Sequence, residues 1–333
     1  MIISKTPFRI SFFGGGTDYP IWYREHNGAV LATSINKYCY ITCRYLPPFF
    51  GYKHRIVYSR TEQTNTISEI KHSAVREILN FMKIDQGIEV HHDGDLPART
   101  GLGSSSSFTV GLINALYALK GKMITKRQLA LDAINIEQNI IKENVGSQDQ
   151  TTAAYGGFNK IEFGRDQEIH VQPITLNSDR CQSLQNHLML FFTGFSRTAS
   201  EIAKEQIKNI PNKKNELNMM LEMVDEAISI LNGKYSDITD FGRLLHKSWM
   251  MKRSLTDKIS TSDIDKIYDT ATNAGAIGGK LLGAGGGGFM LFFVEPELQP
   301  KVRKELKNLL YVPFKFENLG SQIIYYGPHD KFT

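Results

Sequence analysis

Three groups of residues in this chain have types and spacings that chemistry could use. The first is Leu96-Pro97-Ala98-Arg99-Thr100-Gly101-Leu102-Gly103-Ser104-Ser105-Ser106-Ser107, a glycine turn that opens an apolar helical pattern. Glycines let backbone N–H groups approach a ligand closely, the first turn of a helix has unpaired N–H donors, and serine hydroxyls add donors or a metal ligand. The arrangement suits an anion such as a phosphate. Serine N-capping beside a glycine turn is the simpler alternative, but it does not account for four consecutive serines.

The second group is acidic. Ile134, Glu137 and Ile141 fall on one helical stripe, which turns the Glu137 carboxylate toward the interior. A buried carboxylate needs a partner. A Mg2+ ion shared with a hydroxyl and nucleotide phosphates would supply one, and a buried salt bridge is the alternative. Further on, Gly146-Ser147-Gln148-Asp149-Gln150 reads as a polar cluster that ends the helix, with Asp149, taken alone, a cap or turn aspartate. The third group, Gly283-Ala284-Gly285-Gly286-Gly287-Gly288, matches G-x-G-x-x-G, but a helical pattern precedes it and a strand follows. A dinucleotide fingerprint needs the opposite order, so the cluster reads as a flexible backbone loop packed beside a ligand, or as a plain loop. No Walker A, HRD or DFG sequence occurs, which excludes P-loop and protein-kinase machinery.

The elements that must position these groups follow from periodicity. Phe8, Ile10 and Phe12 alternate with Arg9 and Ser11 up to Gly14-Gly15-Gly16, so a strand delivers a glycine turn. Strands are predicted at 30–45, 55–59, 87–92, 158–163 and 169–174, and helices at 108–119 and 133–141. The pattern restarts after His187 with a strand at 188–193, helical stretches from 198, at 217–231, 238–253 and 263–277, a strand at 289–294, a helix after Pro296 and a strand at 322–326. The boundary falls near 180, giving domains 1–180 and 181–333 in an α+β layer architecture. No fixed-period repeat argues for a solenoid.

Composition bounds the partners. The 333 residues, 41% hydrophobic and 22% charged, exclude a disordered chain and a long coiled coil. A net charge of +5 without a polybasic run fits small anionic ligands better than nucleic acid. Three cysteines cannot build a disulfide framework, and neither a signal-peptide core nor a membrane-length apolar run is present, so the expected home is the cytoplasm, away from any membrane.

Three segments together resemble the GHMP kinase superfamily of small-molecule kinases: Pro7-Phe8-Arg9 through Gly14-Gly15-Gly16-Thr17-Asp18-Tyr19, the loop Pro97 to Ser107, and Lys280-Leu281-Leu282-Gly283 through Phe289. The resemblance implies a ribosomal-protein-S5-like first domain, a ferredoxin-like second domain and an active site in the cleft between them. It implies ATP and Mg2+, with Pro97, Gly101, Leu102, Gly103, Ser104, Ser105 and Ser106 around the phosphates, and Ser104, or a neighbouring serine, and Glu137 on the metal. Asp149 would be the catalytic aspartate and Arg9 the basic residue facing it. Gly16, Thr17, Asp18, Gly286 and Gly287 would line the substrate site, with Asp18 gripping sugar hydroxyls. Galactokinases carry Gly-Glu-His-Thr-Asp where this chain has Gly14 to Asp18, so galactose is not expected. The first motif, Gly194-Phe195-Ser196-Arg197 and Trp249-Met250-Met251-Lys252 are similar to the branch of heptose 7-phosphate and fucokinase-type enzymes, which phosphorylate an anomeric hydroxyl. A substrate phosphate would need cations, for which Arg197, Lys252, Arg253 and Lys280 are available.

Overall fold

The computed structural model describes residues 1–98, 100–166, 168–194, 199–233 and 236–327. Its spine is the antiparallel pair Ile2–Phe13 and Gly28–Tyr45, which runs from Ile2 opposite Cys43 to Phe13 opposite Leu31 with register shifts between Pro7 and Phe8 and between Ser11 and Phe13. From Thr6 onward every residue of the first strand is buried, Arg9 and Ser11 included. The alternation seen in the sequence therefore separates an apolar face from a polar one that is also covered. Helix Ser104–Leu119 packs on this strand pair, and helices Lys214–Asn232 and Thr239–Arg253 from the second half reach it as well.

The remaining strands of this nine-stranded sheet include Ile88–Gly94 and Phe158–Phe163, both antiparallel to Gly28–Tyr45. A second, four-stranded antiparallel sheet has the order Leu310–Tyr311, Leu188–Phe192, Phe289–Val294, Ala276–Leu281. Helices Thr239–Arg253 and Ser262–Ala274 pack on its last strand. The two halves share a core: the rings of Phe12 and Phe13 meet Phe241 edge-on at 5.5 and 5.1 Å. That contact fixes the end of the first strand, and the glycine turn after it, against the second half.

Three features differ from the sequence reading. The strands Phe316–Glu317 and Gln322–Tyr326 belong to the first sheet, pairing with 34–35 and with 2–5, although 181–333 was expected to form one unit. Without them, Ile2–Lys5 would be an open sheet edge. The segment 276–277, expected to be helical, opens the strand Ala276–Leu281. Gly146–Gln150 does not simply end a helix, because Gln148–Tyr155 is a helix of its own.

Candidate active site

The first strand delivers Arg9 to the side chain of Asp149, which stands in the first turn of helix Gln148–Tyr155. Arg9 Nε donates to Asp149 Oδ1 at 2.7 Å and Nη2 to Oδ2 at 2.8 Å, a bidentate pair in which Arg9 is only 4% exposed. Such a fork fixes the plane of the carboxylate as well as its place. The third arm, Nη1, donates to Gly101 O at 2.7 Å, and the Arg9 backbone N–H donates to Leu102 O at 3.0 Å. One arginine therefore ties the aspartate to the glycine turn. Gly103 closes the contact: with φ +74° it places a notional Cβ 3.2 Å from Arg9 Cγ and 3.4 Å from Asp149 Oδ2. A side chain there would be strained and would press on the pair.

Gly103 is also the N-cap of helix Ser104–Leu119, in the left-handed conformation and with no side-chain cap. No serine caps this helix from the N-cap position, so the capping alternative fails, and the first turn of the helix is suited to presenting backbone N–H donors to an anion. The third glycine cluster lies directly behind the turn. A Cβ on Gly101 would fall 2.3 Å from Leu282 O, one on Gly283 2.4 Å from Gly101 Cα, and one on Gly288 2.2 Å from Thr100 O. Backbone meets backbone, which only glycine permits. Gly286 and Gly287, with φ of 76° and 152°, are buried in the same loop.

Glu137 lies in a π-helical turn, Ile136–Ile140, that continues helix Lys126–Asn135. Its carboxylate is buried, as the stripe predicts, and no basic side chain pairs with it among the described residues. Oε2 accepts from Ser106 Oγ at 2.8 Å and from the Gln150 amide, while Oε1 and Gln150 Oε1 have no hydrogen-bond partner among the described residues. Burial pushes the Glu137 carboxyl up to about 7 against these neutral donors and the nearby Thr109 hydroxyl. Of the expected serines, Ser104 or a neighbour, Ser106 donates its hydroxyl to Glu137, its place in the run set by the separation of about 100° per residue on a helix. The salt-bridge alternative is not realised among the described residues. An orphaned carboxylate oxygen beside a hydroxyl and an amide oxygen fits a hard divalent cation such as Mg2+. No three His, Cys, Asp or Glu side chains converge among the described residues, so such a cation would draw other ligands from phosphate oxygens. Sequence reasoning did not place Gln150 at this seat; its position beside Asp149 is the one signal that could have found it.

Asp18 is 2% exposed, and Gly16 N–H donates to its Oδ1 at 2.9 Å. A Cβ at Gly146 would collide with its carboxylate, and Ser147 N–H donates to its backbone oxygen at 2.9 Å, so the segment before Asp149 is moulded to it. Burial raises the Asp18 carboxyl above its ordinary range, with Asp149 adding to the effect. Thr17 is a correction. Its fully buried hydroxyl bonds Gly14 O at 2.8 Å and Ala29 O at 2.9 Å, which commits it to the turn and not to a ligand.

The expected cations are likewise committed. Lys252 Nζ donates to Leu281 O and Gly283 O, Lys280 Nζ donates to Phe12 O at 2.7 Å, and Arg253 pairs with Asp265 at 3.0 Å. Both lysines are buried, with no carboxylate in ion-pair distance among the described residues. Arg197 lies outside the described residues.

Fold and site together describe a two-domain α+β protein that holds an open helix start against an arginine-clamped aspartate. Residues 66–157 match the GHMP kinases N terminal domain and residues 224–312 the GHMP kinases C terminal domain, more than half of the chain between them. The chain belongs to the GHMP kinase family, whose members are ATP-dependent kinases, and has its two-domain fold. D-glycero-alpha-D-manno-heptose 7-phosphate kinase of Campylobacter jejuni is 29% identical over 92% of this chain and 93% of its own length. The L-fucokinase/L-fucose-1-P guanylyltransferase of Bacteroides fragilis is 27% identical over 66% of this chain and 24% of its own. In fold, the structure of D-glycero-D-manno-heptose 1-phosphate kinase from Bacteroides thetaiotaomicron aligns with a TM-score of 0.76 over 98% of this chain and 99% of its own, at 24% identity. No described helix is long and apolar enough to cross a membrane.

Proposed function

We propose that this chain is an ATP-dependent sugar kinase that phosphorylates the anomeric hydroxyl of D-glycero-D-manno-heptose 7-phosphate. The product, the 1,7-bisphosphate, would feed GDP-heptose synthesis for surface polysaccharide. The observation that carries the chemistry is the bidentate Arg9–Asp149 pair set against Gly103 and beside Asp18. The sugar is supported by the likeness, over nearly the full length of both chains, to the Campylobacter jejuni kinase.

In this reading Asp149 orients the acceptor hydroxyl and takes its proton, while Arg9 holds the carboxylate in plane. Asp18 accepts from the sugar hydroxyls. The glycine turn and helix start Gly101–Ser106 would present backbone N–H groups to the nucleotide, with Pro97 beside them, and Ser106 with Glu137 would hold the metal. A Mg2+ ion held there would supply charge neutralisation to the nucleotide phosphates. Positioning and charge neutralisation are most of what phosphoryl transfer requires, and these residues supply both. ATP as donor implies the cytoplasm, and the nucleotide unit is proposed to be 1–180 together with the strands Phe316–Glu317 and Gln322–Tyr326 that complete its sheet.

A second reading, a kinase for an unphosphorylated sugar such as L-fucose or a uronic acid, is favoured by one observation. Lys252, Lys280 and Arg253 are already occupied, so no described member of the cation set is left for a substrate phosphate. ADP release measured on heptose 7-phosphate, free heptose, L-fucose, galactose and uronic acids decides between them. The proposal expects the highest kcat/KM on heptose 7-phosphate, with phosphate found on the anomeric oxygen. A preference for a free sugar selects the second reading. No ADP release with any sugar makes the chain a sugar- and ATP-binding sensor.

A further inference from the structure

Lys252 is 8% exposed at the end of helix Thr239–Arg253, and its ammonium donates to two backbone carbonyls, Leu281 O and Gly283 O. Those carbonyls flank the start of the glycine loop whose Gly283 backbone abuts Gly101. On the far side of that contact, Gly101 O accepts from Arg9 Nη1 at 2.7 Å. Two buried cations from different halves of the molecule thus hold the two sides of one glycine-to-glycine contact. Farther along the loop, the Gln206 amide donates to Ala284 O at 2.6 Å and Gly286 N–H donates to Ile259 O at 2.9 Å, but the stretch that touches Gly101 is the one Lys252 holds. Among the described residues, a lysine with only carbonyl acceptors in so buried a place has no stabilising ion pair to explain it.

We infer that Lys252 is a positioning residue: it clamps the loop Leu281–Gly288 so that Gly283 seats the glycine turn Thr100–Gly103 for the nucleotide. The inference rests on the reading of that turn and the following serines as the nucleotide seat. It replaces the expectation that Lys252 meets a substrate phosphate. The charged groups facing Lys252 from its surroundings are Arg9 on the first strand, Asp18 on the turn after it, and Lys280 on strand Ala276–Leu281. Burial, reinforced by Arg9 and opposed by Asp18, lowers the Lys252 amine to about 7. A neutral amine still has two N–H donors, enough for two carbonyls, so the clamp survives loss of the proton. A direct phosphate contact would not, because its strength lies in the charge.

The test is direct binding of Mg2+ with a non-hydrolysable ATP analogue to wild type, Lys252→Met and Lys252→Gln, with melting temperatures recorded alongside. Loss of two buried hydrogen bonds predicts affinity weakened about tenfold or more in Lys252→Met. Lys252→Gln, which keeps two N–H donors without charge, should recover part of it. The ratio of variant to wild-type affinity should hold constant between about pH 6 and pH 9, since the nucleotide's own ionisations cancel in the ratio. Folded variants that bind like wild type would overturn the inference, as would a ratio that collapses toward one at the higher pH, which assigns a direct charge contact. If Lys252→Met does not fold, Lys252→Gln alone carries the comparison: wild-type melting with weakened binding supports the clamp, and unchanged binding overturns it. Absence of kinase activity on every sugar would defeat the proposed function and leave this binding comparison standing.

Discussion

Asp149 and Glu137 stand on successive helical segments of the first half, and the protein treats the two carboxylates differently. Asp149 is a quarter exposed and meets a guanidinium through two charge-assisted hydrogen bonds. Glu137 is buried, is met by the hydroxyl of Ser106 and the amide of Gln150, and keeps one oxygen without a partner among the described residues. The charge of the first is met within the chain. The charge of the second finds no cationic partner among the described residues, and desolvation is what lifts its carboxyl to about 7. One carboxylate therefore has its counter-charge within the chain, while the other is the one that, in the proposed function, would hold a cation. The amide of Gln150, next to Asp149 in sequence, couples the two.

The strongest test of this division removes the first carboxylate. Asp149→Asn is expected to lower kcat by about a thousandfold or more, while the affinity for Mg-ATP stays within about twofold of wild type. Near wild-type turnover would remove Asp149 from the chemistry. Gly103→Val should break the division, because its side chain would press on the Arg9–Asp149 pair and strain the left-handed N-cap of the helix start proposed to hold the nucleotide. Turnover and nucleotide affinity should then fall together, each by about tenfold or more. An effect on the sugar alone would show that Gly103 does not support the nucleotide.

A smaller effect belongs to the second carboxylate. Glu137→Gln keeps the shape and removes the anionic oxygen, so the Mg2+ concentration for half-maximal rate should rise about tenfold. The smallest effect is on stability without ligands. Glu137 titrates near 7 when folded and near 4.5 when unfolded, so the folded state binds the extra proton between those values. Its stabilising contribution is whole below about 4.5 and is lost as pH rises through about 7. Thermal melts of the metal-free protein should fall by a few degrees over that window, and Glu137→Gln should flatten the trend. Parallel curves for the two proteins would mean that Glu137 is not buried in the way described.

Much of this was legible in the sequence where side-chain period and burial coincide. Phe158–Phe163 and Phe289–Val294 form the strands expected, and the amphipathic stripe 217–231 lies within helix Lys214–Asn232. The helix Gln148–Tyr155 was not legible, because its buried face is polar: Gln150, Thr151 and Thr152 are fully buried, and the two threonines bond carbonyls one turn back. Strand Ala276–Leu281 was hidden by Gly278 and Gly279, whose lack of side chains lets Gly242 O and Leu291 O come within 2.0 and 2.6 Å of a notional Cβ. Within the site, composition marked a serine run but not its helical phase, which selects Ser106. Thr17 and Lys252 were visible as polar groups in the right motifs, and only tertiary packing shows that backbone carbonyls already hold them.

The central claim is that the two carboxylates do separate work, and a Mg2+ titration of nucleotide binding on wild type, Glu137→Gln and Asp149→Asn tests it most directly. A fluorescent ATP analogue at fixed concentration reports the metal dependence without any sugar present. The Asp149→Asn curve should superimpose on wild type, and the Glu137→Gln curve should shift to about tenfold higher Mg2+. Equal shifts in both variants, or a shift in Asp149→Asn alone, would contradict the account.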